Sequence, residues 1–139
     1  MNTKMNKGFN FRHKLRMEQP KYIIHPFNKA VVCIIECSIP SLPYNAEIHR
    51  KFSELDCFNN EFTVKAVAKC NSKDTYNEET GMRIAESRAK AKAVSKALKI
   101  MEHYKDIMSQ EYTVLNNSVE FFADELCKEK HHINKLISY

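Results

Sequence analysis

Four cations offer the most regular chemistry in this sequence. Arg88, Lys92, Lys96 and Lys99 follow one another at intervals of four, four and three residues. On a helix those intervals put all four on one face. The result is a ladder of positive charge suited to nucleic-acid phosphates or to an acidic protein surface. The competing reading is the solvated side of an amphipathic helix, with acids early and bases late as the helix dipole prefers. Tyr76 is the one ring placed to stack on a base, which is thin support for a nucleic-acid contact.

The other reactive side chains assemble less well. Cys33, Cys37, Cys57 and Cys70 are enough thiols for a structural zinc site. Cys33 and Cys37, however, fall within one apparent strand, which would separate them by roughly 13 Å. Buried free thiols are the expectation for this set. Cys127 and His131 stand four apart with His132 alongside, and no carboxylate is evidently placed to orient a ring. The pairs Glu78–Glu79 and Asp124–Glu125 are adjacent, so they point in different helical directions and do not make an acid–base couple. The only glycines are Gly8 and Gly81, so a phosphate-cradling loop cannot be built. No catalytic, cofactor-binding or metal-binding residue is assigned.

Positioning the ladder requires a helix, and the pattern predicts one from about Asn77 to Tyr104 or slightly beyond. Asp74 or Asn77 is expected to cap it. Glu78 and Glu79 follow at the positive end of the dipole, in a body rich in good helix formers. Ile84, Ala91, Val94, Leu98 and Met101 form its apolar stripe. Ala85, Ala89, Ala93, Ala97 and Tyr104 widen it. Gly81 either permits close packing or is neutral.

Two strands are expected to meet that helix. Residues 29–39 are β-branched and largely apolar. Residues 61–70 alternate, with Phe62, Val64, Ala66 and Ala68 on one side. Asn59-Asn60 reads as a turn before the second strand. Lys21 to His25 is a short extended piece between Pro20 and Pro26. Tyr44 to Leu55 fits strand or helix equally well. Glu111 to Leu115 reads as a short strand. A last helix capped by Asn117 or Ser118 then carries Val119, Phe122, Leu126, Ile133 and Ile137 as its buried stripe.

Composition is consistent with that scale. A chain of 139 residues, 43% hydrophobic, can bury a core without staples. The net charge of +5 is concentrated early, where Lys4, Lys7, Arg12, Lys14, Arg16 and Lys21 face Glu18 alone. Residues 1–20 read as a flexible or loosely attached basic arm, anchored if at all by Phe9, Phe11 and Leu15. Residues 21–139 read as a single domain. No apolar run is long enough to cross a bilayer. Five cysteines, an odd count without a secretory leader, suit a reducing compartment.

One segment has a resemblance. Cys70, Asp74, Tyr76, Glu79, Gly81, Arg83, Ile84 and Ala85 stand in the order of a strand–turn–helix found in small uncharacterised proteins of phages, prophages and their bacterial hosts. The similar stretch, Val67 to Ala93, covers about a fifth of the chain. The resemblance implies a compact α+β domain, remotely similar to double-stranded-RNA-binding folds, and carries over no catalytic residue. Glu78 and Glu79 stand where such a domain would offer its helix start to phosphate, which departs from that pattern.

The fold expected is therefore two-layer α+β, an antiparallel sheet of about three to five strands packed by two main helices. The function expected is that of a non-enzymatic interaction or structural protein, cytoplasmic in a bacterial or phage-infected host cell. A protein partner or self-association, no cofactor and no membrane go with it. The alternative is a nucleic-acid-binding domain using Arg88, Lys92, Lys96 and Lys99.

Overall fold

The computed structural model describes residues 12–56, 60–71 and 75–137. Contacts group the chain into two units, Met1–Ile100 and Met101–Tyr139.

The β-branched run after Lys29 forms the central strand of the first unit, β3 (Ala30–Ser38). Both of its margins are paired antiparallel. On one side lies β4 (Glu61–Lys69), in a register running from Ala30 opposite Lys69 to Ser38 opposite Glu61. On the other side lie β1 (Arg16–Met17) and β2 (Lys21–His25) in succession. Met17 faces Cys37 and Lys21 faces Ile34, so three residues, 18–20, oppose two on β3. That extra residue is a bulge. Pro20 occupies it, and its ring nitrogen has no proton to donate to the ladder. Of the arm expected over 1–20, residues 1–11, with Phe9 and Phe11, lie outside the described part.

Tyr44 to Leu55, undecided by pattern, contains a helix, α1 (Ala46–Lys51). Asn45 caps it: its side-chain oxygen accepts from the amides of Glu47 at 3.0 Å and Ile48 at 3.2 Å. Ile48, Phe52 and Leu55 are buried at helical spacing. Of the expected Asn59-Asn60 turn, Asn59 lies outside the described residues. Asn60 is buried with φ 53°, and its side-chain amide donates to Leu42 O at 2.6 Å. This ties the end of β3 to the start of β4.

The second helix, α2, runs over Glu78–Ile137. Asn77 caps it, accepting from the Thr80 amide at 3.1 Å, while Asp74 lies outside the described residues. The fold class matches the expectation: a two-layer α+β fold, a four-stranded antiparallel sheet packed against two helices. Three local expectations are overturned. The first helix does not end near Tyr104, Glu111 to Leu115 is not a strand, and no separate helix starts at Asn117 or Ser118, because helix is continuous through all three places. The hydroxyls in that stretch bond back into the helix: Thr113 to Ser109 O at 3.0 Å and Ser118 to Val114 O at 2.8 Å. Each thereby fits a helical interior instead of starting a turn.

The packed face of α2 in the first unit is also different. Ala85, Ala89, Ala93 and Ile100 are completely buried. Val94 and Leu98, expected in the core, are both 56% exposed, and Ile84 and Ala91 are exposed as well. The sheet face beneath is already filled by Val31, Cys33, Ile35, Phe62 and Val64, so the helix meets it with small side chains. Gly81 marks the nearest approach: a Cβ there would stand 3.0 Å from Val31 Cγ2. That is tighter than ordinary van der Waals contact, which gives the helical glycine a packing reason.

This assignment separates two substitutions. Ala89→Leu should destabilise the first unit by about 1–3 kcal/mol through overpacking. Val94→Ala, which removes more apolar surface on paper, should stay within about 0.5 kcal/mol. Urea denaturation followed by far-ultraviolet circular dichroism distinguishes the two outcomes.

Candidate interaction surfaces

The ladder predicted from the sequence is present, and most of it is spoken for. α2 advances about 6 Å in four residues. Two residues of an extended strand cover about 6.8 Å. A cation every four residues on the helix therefore keeps step with every second carbonyl of β4. The Arg88 guanidinium donates to Val67 O at 2.8 Å, and the Lys92 ammonium to Lys65 O at 2.7 Å. Lys96, the next rung, pairs with Glu54 and lies 5.1 Å from the centre of the Phe52 ring. Burial, reinforced by the charge of Lys99, lowers the Lys96 pKa. Lys99 is exposed. Three of the four rungs thus bind the protein's own sheet margin and the segment after α1.

Along another side of α2, Glu86 lies near Tyr22 and pairs with Lys90 at 3.2 Å. Burial, then the Glu86 carboxylate, raises the Tyr22 pKa. Cys33 lies close to this group, and its thiol is raised by burial and then by Glu86. Burial alone raises Cys37. Both are free thiols in the core; Cys70 is half-buried, and Cys57 lies outside the described residues. Cys127, His131 and His132 are exposed. An acid-rich cleft of about 740 Å³ touches Glu18, Glu36, Glu54, Asp56 and Glu61. Among the described residues no three metal donors converge.

The surface that sequence reading did not recognise lies on α2 in the second unit. From Ser109 to Ile137 every residue is exposed except half-buried Ser118 and Glu125. Most of its large apolar residues keep alternating steps of four and three, with Val114, Phe121 and Ile137 outside the repeat. Tyr112, Val119, Leu126 and Ile133 recur every seven residues. Met101, Met108, Leu115, Phe122 and Leu136 fill the interleaved set, with a gap at Glu129. The large ones, Tyr112 through Leu136, are between 49% and 70% exposed. A sustained seven-residue repeat is the signature of a helix that packs along another helix. The signal was available in the residues themselves. It was hidden by dividing the stretch into a strand and a capped helix, and by assigning its apolar residues to the core.

Compared with family models, curated proteins and solved structures, the chain has no significant match.

The raised thiols fix a pH dependence. In the unfolded chain Cys33 and Cys37 ionise near the ordinary value of 9.0, whereas folding holds their protons to higher pH. Above about pH 9 the unfolded state binds fewer protons, so stability should fall as pH rises through that value. At neutral pH, Cys33 and Cys37 should react with a thiol reagent at least about 100-fold more slowly than exposed Cys127. Peptide mapping after timed alkylation measures this, and equal rates would contradict the burial.

Proposed function

We propose that the protein is a non-enzymatic interaction or structural protein whose working surface is the seven-residue-repeat face of α2 in the second unit. One observation carries the reading: Tyr112, Leu115, Val119, Phe122, Leu126 and Ile133 form an exposed apolar line on a helical segment. A lone helix is marginal in water. Each of these side chains contributes about 1.5–3 kcal/mol when fully buried. Covering the line therefore supplies the stabilisation that a solitary helix lacks.

The similarity of Val67–Ala93 to small phage, prophage and bacterial proteins supports placing it in such a cell, and a cytoplasmic location is part of the same proposal. Among the described residues no helix is long and apolar enough to cross a membrane. The nucleic-acid alternative draws less support, because Arg88, Lys92 and Lys96 are engaged within the chain.

The test compares the wild type with a Leu115→Asp/Phe122→Asp variant by size-exclusion chromatography with light scattering and by native mass spectrometry. The wild type is expected in an assembly heavier than one chain. The variant should lose that assembly while keeping the thiol protection of Cys33 and Cys37. An assembly indifferent to the two aspartates, or steeply salt-dependent RNA or DNA binding abolished by an R88E/K92E/K96E variant, would overturn the reading.

A further inference from the structure

We propose that the occupant of this face is a second copy of the same helix, running antiparallel, in a register set by Lys105 and Glu129. The inference rests on the interaction reading above and adds the partner, its direction and its alignment.

Lys105 and Glu129 are the two charged residues that interrupt the apolar repeat between Met101 and Leu136. They belong to different interleaved sets: Lys105 to the set of Tyr112 and Val119, Glu129 to the set of Leu115 and Phe122. In an antiparallel helix pair, residues of one set face residues of the other across the seam. Lys105 can therefore meet Glu129 of the second copy. Once that pair is aligned, no freedom is left, and the other layers follow. Met101 faces Ile133, Met108 faces Leu126, Tyr112 faces Phe122 and Leu115 faces Val119, with the two-fold axis beside Asn117. Each of these layers matches apolar to apolar.

The neighbouring alignments do worse. Sliding by seven residues in either direction sets Lys105 against Phe122 or against Leu136 and leaves both charges in apolar layers. A parallel, in-register pair brings Lys105 to Lys105 and Glu129 to Glu129. An unpaired charge in a partly desolvated seam opposes association, and like charges face to face add repulsion to that cost.

The flanks agree in part. Glu102 falls beside Lys130 of the second copy, an attractive pair, while Glu111 falls beside Glu125. Glu125 has its own counter-ion in Lys128 at 3.5 Å, which offsets that repulsion. The area sits at the lower end of the standard range. Six exposed apolar seam residues from Tyr112 to Ile133, at roughly 100 Å² each, with a smaller share from half-buried Met101 and Met108, bury on the order of 600–700 Å² per chain. An interface of standard size buries about 800 Å² per partner.

Sedimentation equilibrium of the full chain tests the inference with three charge variants. Lys105→Glu and Glu129→Lys should each weaken dimerisation on the order of a hundredfold, since each puts like charges face to face. The combined K105E/E129K variant should return the dissociation constant to within about tenfold of wild type, because the pair is restored with its signs exchanged. A parallel pair predicts no rescue, since like faces like in the wild type and in every variant. A wild type of single-chain mass overturns the inference and leaves the interaction reading to assemblies of other composition. A dimer that is indifferent to the charge variants but broken by Leu115→Asp/Phe122→Asp overturns the inference alone. A dimer indifferent to both sets overturns both.

Discussion

The rotation of α2 about its own axis over the sheet decides most of what this protein presents to its surroundings. Gly81, within 3.0 Å of Val31 once a Cβ is imagined, and the buried Ala85, Ala89 and Ala93 fix that rotation from beneath. Arg88 and Lys92 fix it from the side by holding alternate carbonyls of β4. A helix held this way cannot also turn Val94 and Leu98 into the core. Between Gly81 and Ala93 the buried positions take small residues, and a large one returns to the buried face only at Ile100.

The architecture was legible because it depends on local rules. Alternation at 61–69, the β-branched run at 30–38 and the acidic start at Glu78 each specify an element with little outside help. What failed depended on shape. Ranking residues by hydrophobicity places Ile84, Val94 and Leu98 in the core ahead of alanine, and nothing in the residue types announces a sheet face already full. The strand expected at Glu111 to Leu115 spans Tyr112, Thr113 and Val114, residues whose β propensity context readily overrides. The ladder was read correctly as one face of a helix. Its attachment to the backbone of β4 was invisible, because main-chain carbonyls are the same at every position.

The sheet and the seven-residue repeat also ask different things of the same helix sequence. Close packing on the sheet asks for small residues at intervals of four, as at Gly81, Ala85, Ala89 and Ala93. A helix partner asks for large ones in alternating steps of three and four, as from Tyr112 to Ile133. Charged residues inside such a seam cost stability and restrict alignment at once, which is the trade made wherever specificity outranks tightness.

The two margins of the sheet carry a consequence of their own. An unpaired strand margin is a template on which other chains can stack into fibrils. Here each margin is blunted by different chemistry. On the β1–β2 side, the bulge at Pro20 breaks the row of donors. On the β4 side, an invading strand would have to displace a guanidinium and an ammonium already seated on Val67 O and Lys65 O. A side chain without a donor at Lys92 would remove one of those guards without touching the core, leaving Lys65 O open to an incoming strand while Arg88 still covers Val67 O.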